Sequence, residues 1–397
     1  MINCNTVFER IQGLMPKEIV ESMSKAREMA HGNEKFSLEK HLYTLICSQL
    51  KEKDKLREIA TLLKSDQQLQ RYTGTISYSQ LSRLNAERDS EFFKKAFESV
   101  YEKLMSSTAS VSLPFDYGKL KVLDSTAIQL CLALFPWAEY RKKSGAIKIH
   151  TLFDVIKGCP ESIMLTPGIK HDRISMEKLI TEPGVTYLFD RAYLEHELWD
   201  SYCEKGIFFV SRLKSNAVFE ILEEYQVKQG GKILSHKKVI LGCPSKRMNC
   251  PVWLVEVVDS SNGEAFYIVT NRFDLTPEQV ADVYRLRWSI EIFFRWIKQH
   301  LKIKKFYGTS QNAVLIQIYS ALTLFCLLKI LHHTFCKNSN FTFMLRLIAD
   351  GLWNTVDYLL KCLTPTKPPS AGKPKQIDWK PLYYLILEEY QLTDPFF

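Results

Sequence analysis

Two aspartates follow short apolar runs: Asp124 after Lys121–Leu123 and Asp190 after Val185–Phe189. A strand that ends in Asp holds its carboxylate rigidly at a sheet edge, as a cation site requires. Each residue, in Asp-Ser-Thr and Asp-Arg-Ala-Tyr, also reads as a turn or cap residue, the commoner role for an aspartate taken singly. The third feature is the segment Asp282–His300. On a helix of about 100° per residue, Tyr284, Arg287, Glu291, Arg295 and Lys298 fall within a stripe about 80° wide. Trp288, Ile290, Ile292, Phe293, Trp296 and Ile297 surround it. A solvated helix has the opposite balance. A carboxylate held among cations calls for a ligand of mixed charge, and divalent ions with phosphate supply that mixture. An internal ladder of i,i+4 pairs through Arg287, Glu291 and Arg295 accounts for the stripe as well. The residue types alone leave both readings open.

The spacing from Tyr284 to Arg287, Glu291 and Lys298 resembles the Tyr-Arg-Glu-Lys signature of the IS4 family of DDE transposases. Asp124 in Asp-Ser-Thr and Asp190 in Asp-Arg-Ala-Tyr resemble that family's first and second acidic motifs. Phe306–Leu322 is similar to the segment these enzymes carry after their glutamate. The resemblance runs from about Phe36 to about Leu331. It implies a ribonuclease-H-like sheet that brings Asp124 and Asp190 together, with Glu291 offered from a long helix. These three would be the catalytic and metal-binding residues. They would hold two Mg²⁺ ions, with Mn²⁺ as a substitute.

The implied activity is cut-and-paste transposition: DNA cleavage at insertion-sequence ends and strand transfer, often through a hairpin. The implied partners are double-stranded DNA, both terminal inverted repeats and target, and a second copy of the chain in the end-paired complex. Tyr284, Arg287 and Lys298 would contact phosphates, with Arg191 and Arg295 as further DNA contacts. Phe266 or Tyr267 would stack on a flipped base; ordinary strand packing explains these two rings equally. Two rivals are a ribonuclease-H-like metal nuclease without strand transfer and a catalytically idle DNA-binding regulator. A carboxylate-pair glycosidase explains neither the basic stripe nor the spacing.

These residues need elements to position them. Residues 1–115 read as helical, with Ser37 and Ser77 as helix starts. The segment from Ser77 carries Arg83, Asn85 and Arg88 as DNA contacts of a helix-turn-helix-like reader; a plain helical bundle is the alternative. Residues 116–213 alternate strands and helices, which implies a mixed α/β sheet. Residues 214–272 read as a β-rich insertion. Residues 273–335 are helical from Thr276–Pro277 onward, first to about Lys302 and then from Ala313 to Phe335. Residues 336–397 form a C-terminal region with Pro365, Pro368, Pro369 and Pro374 in a linker. Tyr383–Glu389 reads as a short docking helix, and the region as a dimerisation element. The expected fold class is therefore α/β: a ribonuclease-H-like mixed sheet with a β-rich insertion and an N-terminal helical DNA-binding domain.

Length and composition agree with that plan. The 397 residues exceed one compact core. With 46% hydrophobic and 24% charged residues, disorder is not expected. The net charge of +9 suits a polyanionic partner. Ten cysteines form no CxxC pair, and they read as reduced thiols of a cytoplasmic protein without a secretory signal. The apolar stretch Ala313–Leu331 contains Gln317 and Lys329, so a buried core helix is expected there and not a membrane span. His150, on an inner strand, reads as a satisfied core histidine.

Overall fold

The computed structural model describes residues 6–29, 36–107, 115–141, 144–228, 230–258, 263–301, 303, 305–335 and 339–363. The proline-rich linker and the Tyr383–Glu389 helix expected from the sequence lie outside them.

Seven helices open the chain: α1 (Val7–Leu14), α2 (Lys17–Met29), α3 (Leu38–Leu50), α4 (Leu56–Ser65), α5 (Gln67–Thr73), α6 (Tyr78–Glu87) and α7 (Glu91–Ser107). Ser37 caps α3 by accepting from the Lys40 amide. Ser77 and Gln80 close a capping box on α6. Both starts were legible because a side-chain oxygen satisfies amides that the first helical turn leaves free.

The sheet comprises β1 (Lys119–Leu130), β2 (Glu139–Arg141), β3 (Ser144–Asp154), β4 (Cys159–Pro167), β5 (Val185–Phe189), β6 (Phe208–Arg212), β7 (Phe219–Tyr225), β8 (Ile233–Leu241), β9 (Val252–Val258) and β10 (Ala265–Thr270). Strand β3 lies antiparallel to β1, and β4 antiparallel to β3. Strand β5 runs parallel to β1, and β6 parallel to β5. This is the mixed ribonuclease-H-like arrangement expected from the sequence. Helix α8 (Arg173–Leu179) precedes β5, and α9 (His196–Glu204) links β5 to β6. The strands of the expected insertion do not form a sheet of their own. They continue the core sheet past β6 in the order β10, β9, β8, β7. Edge strand β7 went unnoticed in the sequence; its residues are nearly all exposed, so it lacks the alternation that marks a half-buried strand.

One face of the sheet, with Val122, Leu188, Val210 and Ile268, joins the core that holds α10 (Pro277–Arg285), α11 (Ser289–His300) and α12 (Gln311–Phe335). The other, with Leu123, Phe189, Phe209 and Val269, packs under α8 and α9. Helix α12 is long and apolar enough to cross a membrane, but it is enclosed by the rest of the chain. Its polar interruptions are satisfied inside: Gln317 accepts from the Tyr307 amide at 2.8 Å and donates to the Lys305 carbonyl at 2.9 Å. Helices α13 (Phe341–Asp350) and α14 (Val356–Leu363) complete the described chain.

Candidate active site

Strand register brings the two aspartates together. The parallel ladder pairs Leu120 with Thr186 and Val122 with Leu188. Asp124 and Asp190 each lie two residues further on, so both project to the Val122–Leu188 face. Neighbouring strands are about 4.8 Å apart. One expectation needs correction: Asp124 does not end its strand. Strand β1 continues to Leu130 because its antiparallel partner β3 follows it, from Asp124 opposite Thr151 to Leu130 opposite Gly145. Only the parallel pairing with β5 stops before the aspartates. Asp190 does end its strand, where its carboxylate accepts from the Arg191 amide at 2.7 Å.

The helix above this face carries Glu291. Thr276 caps α10, with Pro277 in its first turn, as the sequence suggested. The expected unbroken helix is interrupted, however. A 3₁₀ turn over Leu286–Trp288 separates α10 from α11. The tighter winding changes the rotation between α10 and α11 from that of one continuous helix. Leu286 stays buried through the turn, and Arg287 reaches the sheet. The guanidinium of Arg287 lies 2.7 Å from Glu291 Oε1 and 3.9 Å from Asp124 Oδ2. A single side chain therefore bridges the acid of the helix and the acid of the central strand.

The charges of this cluster are under strain. Burial pushes the Asp124 carboxyl up to about 6. The Ser125 amide and Arg287 pull it down, and the nearby Glu291 and Asp190 carboxylates push it up again. Burial also raises Glu291, with Arg287 opposing. Arg287 is the close cation beside Asp124, and the Glu291 and Asp190 carboxylates add negative charge to its surroundings.

Other expected residues gather here. Lys298, two turns along α11 from Glu291, donates to the Thr126 hydroxyl on β1. Tyr284 is half-buried, with the Arg287 guanidinium 5.8 Å from its ring centre. Arg295 is half-buried, near enough to Glu291 to act on its charge. Arg191 is exposed directly after Asp190. Phe266 does not offer a free stacking face on the side that Arg212 occupies. That guanidinium lies 4.5 Å from the Phe266 centroid, and the Tyr284 ring is 6.1 Å away. Tyr267 points to the opposite face and packs against Phe219.

Arg212 went unnoticed in the sequence. Phe189 pairs with Ser211, so Arg212 stands one strand over from Asp190 at the same level. Only strand register, which no local pattern reveals, would have found it. His150 is fully buried in the core, as expected, with Nε2 2.9 Å from the Thr166 hydroxyl, but it is only half satisfied: its Nδ1 makes no hydrogen bond among the described residues and lies 3.5 Å from Asp172.

Comparison with known proteins gives this arrangement its family. The Transposase DDE domain family matches residues 119–327, from the first residue of β1 into α12. The chain belongs to the DDE transposase family. A second family, described as Domain of unknown function (DUF4372), matches residues 3–76. A Geobacillus stearothermophilus relative named for insertion sequence element IS5377 is 29% identical over 266 residues, 66% of this chain and 69% of its own. The transposase for insertion sequence element IS231D of Bacillus thuringiensis subsp. finitimus is 24% identical over 322 residues, 66% of this chain and 67% of its own. The cryo-EM structure of a piggyBac transposase synaptic complex with hairpin DNA aligns with 95% of this chain and 89% of its own, at 11% identity and a TM-score of 0.48.

DDE transposases use divalent metal, and the donors of this DDE transposase fit it. Asp124, Asp190 and Glu291 offer hard oxygen ligands. Burial is the main cause of the raised Asp124 carboxyl and the Glu291 and Asp190 carboxylates add to it, so a cation held there would favour the charged form. Among the described residues no three His, Cys, Asp or Glu side chains stand at metal-ligand spacing. Arg287 holds Glu291 in an ion pair, so that carboxylate must turn away from it to bind a cation.

Two expected DNA contacts of the transposase are overturned. Asn85 is 1% exposed and its side chain meets His41 Nε2 at 2.8 Å. Arg88 is 8% exposed and donates to the carbonyls of Ser37, at 3.0 Å, and Phe36. Both lie on the face of α6 that Leu81 buries, at i+4 and i+7 from it. Arg83 sits on the outer face, its side chain 64% exposed beside Glu87 at 3.9 Å.

Proposed function

We propose that this transposase cuts double-stranded DNA at the terminal inverted repeats of its element and joins the freed 3′ ends to target DNA. The observation that carries the reading is the shared register of Asp124 and Asp190 beneath Glu291, with Arg287 spanning two of the three acids. Asp124, Asp190 and Glu291 would hold two Mg²⁺ ions, with Mn²⁺ as a substitute. Bound divalent metal supplies an activated water or 3′-hydroxyl and stabilises the leaving oxygen of an in-line displacement.

The chain's own residues bind and orient the DNA. Arg287 has a planar fork that matches a phosphate once Glu291 releases it, whereas Lys298 offers a point charge. Arg295, Arg191 and Arg212 add positive charge around the acids, and Tyr284 walls the site beside Arg287. Arg83 on α6 is the remaining candidate contact of the N-terminal helices for the element's end. A second copy would pair the two ends through the C-terminal region. Such work goes with a cytoplasmic, nucleoid-associated protein.

The test is incubation of the protein with the DNA flanking its own gene and Mg²⁺, with the 3′ ends mapped. Wild type cuts at the repeat boundary and Glu291→Gln binds the same ends without cutting. Normal cutting by Glu291→Gln would sink the assignment. Pre-cleaved ends mixed with target DNA separate this reading from a nuclease, which would give no joined product.

A further inference from the structure

The ion pair at the centre of the site sets its own condition on loading. Arg287 Nη2 lies 2.7 Å from Glu291 Oε1, and Nη1 lies 3.9 Å from Asp124 Oδ2. The two acids belong to different elements, α11 and β1, and this guanidinium spans them. Its side chain is only 12% exposed. The rings of Tyr284 and Trp288 each centre 5.8 Å from the guanidinium carbon. Its Nε is buried and makes no hydrogen bond among the described residues.

A divalent ion drawn to Glu291 and Asp124 competes with the guanidinium for the same oxygens, and the two positive charges repel. Arg287 therefore has to yield Glu291 before the carboxylates can serve an ion. Leaving a carboxylate without a new anion would strand a buried guanidinium, which is unfavourable. A DNA phosphate removes that obstacle. It offers the planar fork two oxygens, and the buried Nε can join a bidentate contact. Arg287 also sits in the 3₁₀ turn between α10 and α11, and such a turn within a helix often marks a hinge.

We infer that Arg287 is an autoinhibitory counter-ion: it closes the carboxylate site of the free protein and passes to a DNA phosphate when an end is bound. DNA binding and divalent-ion binding then strengthen each other. The inference rests on the metal-dependent reading above. Charge balances in the exchange, since the phosphate takes the guanidinium and the carboxylates take the ion. The coupling is reciprocal by linkage: whatever factor DNA adds to ion affinity, the ion adds to DNA affinity. The site thus becomes competent for its ion only with DNA in place.

The experiment measures Mn²⁺ binding to the full chain by the electron-paramagnetic-resonance signal of the free ion, alone and with a duplex of the repeat DNA that flanks its own gene. The duplex is pre-cleaved and ends in a 3′-deoxy nucleotide, so it can be bound but neither cut nor joined. Glu291→Gln with the same duplex gives the uptake by DNA itself, which is subtracted. Wild type is expected to bind Mn²⁺ about 10-fold more tightly with the duplex than without it. Fluorescence anisotropy should show the duplex bound more tightly in Mn²⁺ than in chelator, by the same factor. Arg287→Gln alone should bind Mn²⁺ about 10-fold more tightly than wild type alone, and the duplex should no longer change that affinity. Should Arg287→Gln fail to fold, the wild-type comparison decides by itself. Equal Mn²⁺ affinity of wild type with and without duplex overturns the switch and leaves the metal reading standing, with the ion taken while the ion pair stays closed. Mn²⁺ binding by Arg287→Gln that still responds to the duplex also overturns it. Wild-type uptake no greater than that of Glu291→Gln, with or without DNA, overturns the metal reading and the switch with it.

Discussion

Replacing Arg88 by alanine should unfold the protein more than it disturbs DNA binding. The guanidinium closes the end of α6 against the start of α3, through the carbonyls of Ser37 and Phe36. Nearby, Asn312 on α12 donates to the Arg88, Asn85 and Ala86 carbonyls. A hydrogen bond from a charged donor contributes about 1.5–3 kcal/mol, and removing the donor leaves buried carbonyls without a partner. Two such bonds give a loss of about 3–6 kcal/mol. At ~2–4 °C per kcal/mol for a large domain, melting should fall by roughly 10 °C. Arg83→Ala is the contrast. It removes an exposed i,i+4 pair that contributes about 0.3–0.5 kcal/mol, so melting should barely move. The assay is thermal unfolding of both variants, followed by electrophoretic binding of inverted-repeat DNA at two salt concentrations below either melting point. If Arg88→Ala melted like wild type but bound DNA tenfold more weakly, the structural role argued for Arg88 would be wrong.

Asp124→Asn should stabilise the metal-free protein at pH 8. Folding raises this carboxyl from 3.8 to about 6, so its contribution is most favourable below pH 4 and is lost as pH rises through 6. That rise corresponds to roughly 3 kcal/mol, read as a melting difference in chelator that shrinks toward pH 4; a less stable variant at pH 8 would contradict it. Arg287→Lys should not rescue function, because a point charge cannot span Glu291 and Asp124 together; wild-type cleavage by that variant would show that the bridge is dispensable. Lys298→Ala should weaken end binding and reduce its salt dependence by about one counterion without lowering the melting temperature; an unchanged salt slope would remove Lys298 from the DNA contacts.

The acids were legible because each carries a local signature: an apolar run before Asp124 and before Asp190, and a mostly apolar helix around Glu291. Helix starts were legible for the same reason, since Ser37, Ser77 and Thr276 cap within three residues of themselves. What failed was the assignment of a face. Leu81, Asn85 and Arg88 share one side of α6, yet the polar character of the last two suggested solvent. Burial of a polar group depends on distant partners, here the start of α3 and His41, and a short helix does not announce them. Arg212 escaped for a related cause. Its neighbours are set by strand pairing between segments distant in the chain. The 3₁₀ turn at Leu286–Trp288 has no glycine or proline to mark it.

Helix α12 lies within a core built from both ends of the chain, with α3, α6 and α7 from the start and α13 from the finish among its neighbours. Cutting the chain near residue 115 to study an isolated catalytic half would strip that helix of much of its cover. The bared surface would favour aggregation over folding. An element that exchanged its N-terminal half for one with another DNA preference would have to preserve those contacts. New specificity would come more readily from outward-facing side chains on the existing helices than from wholesale replacement.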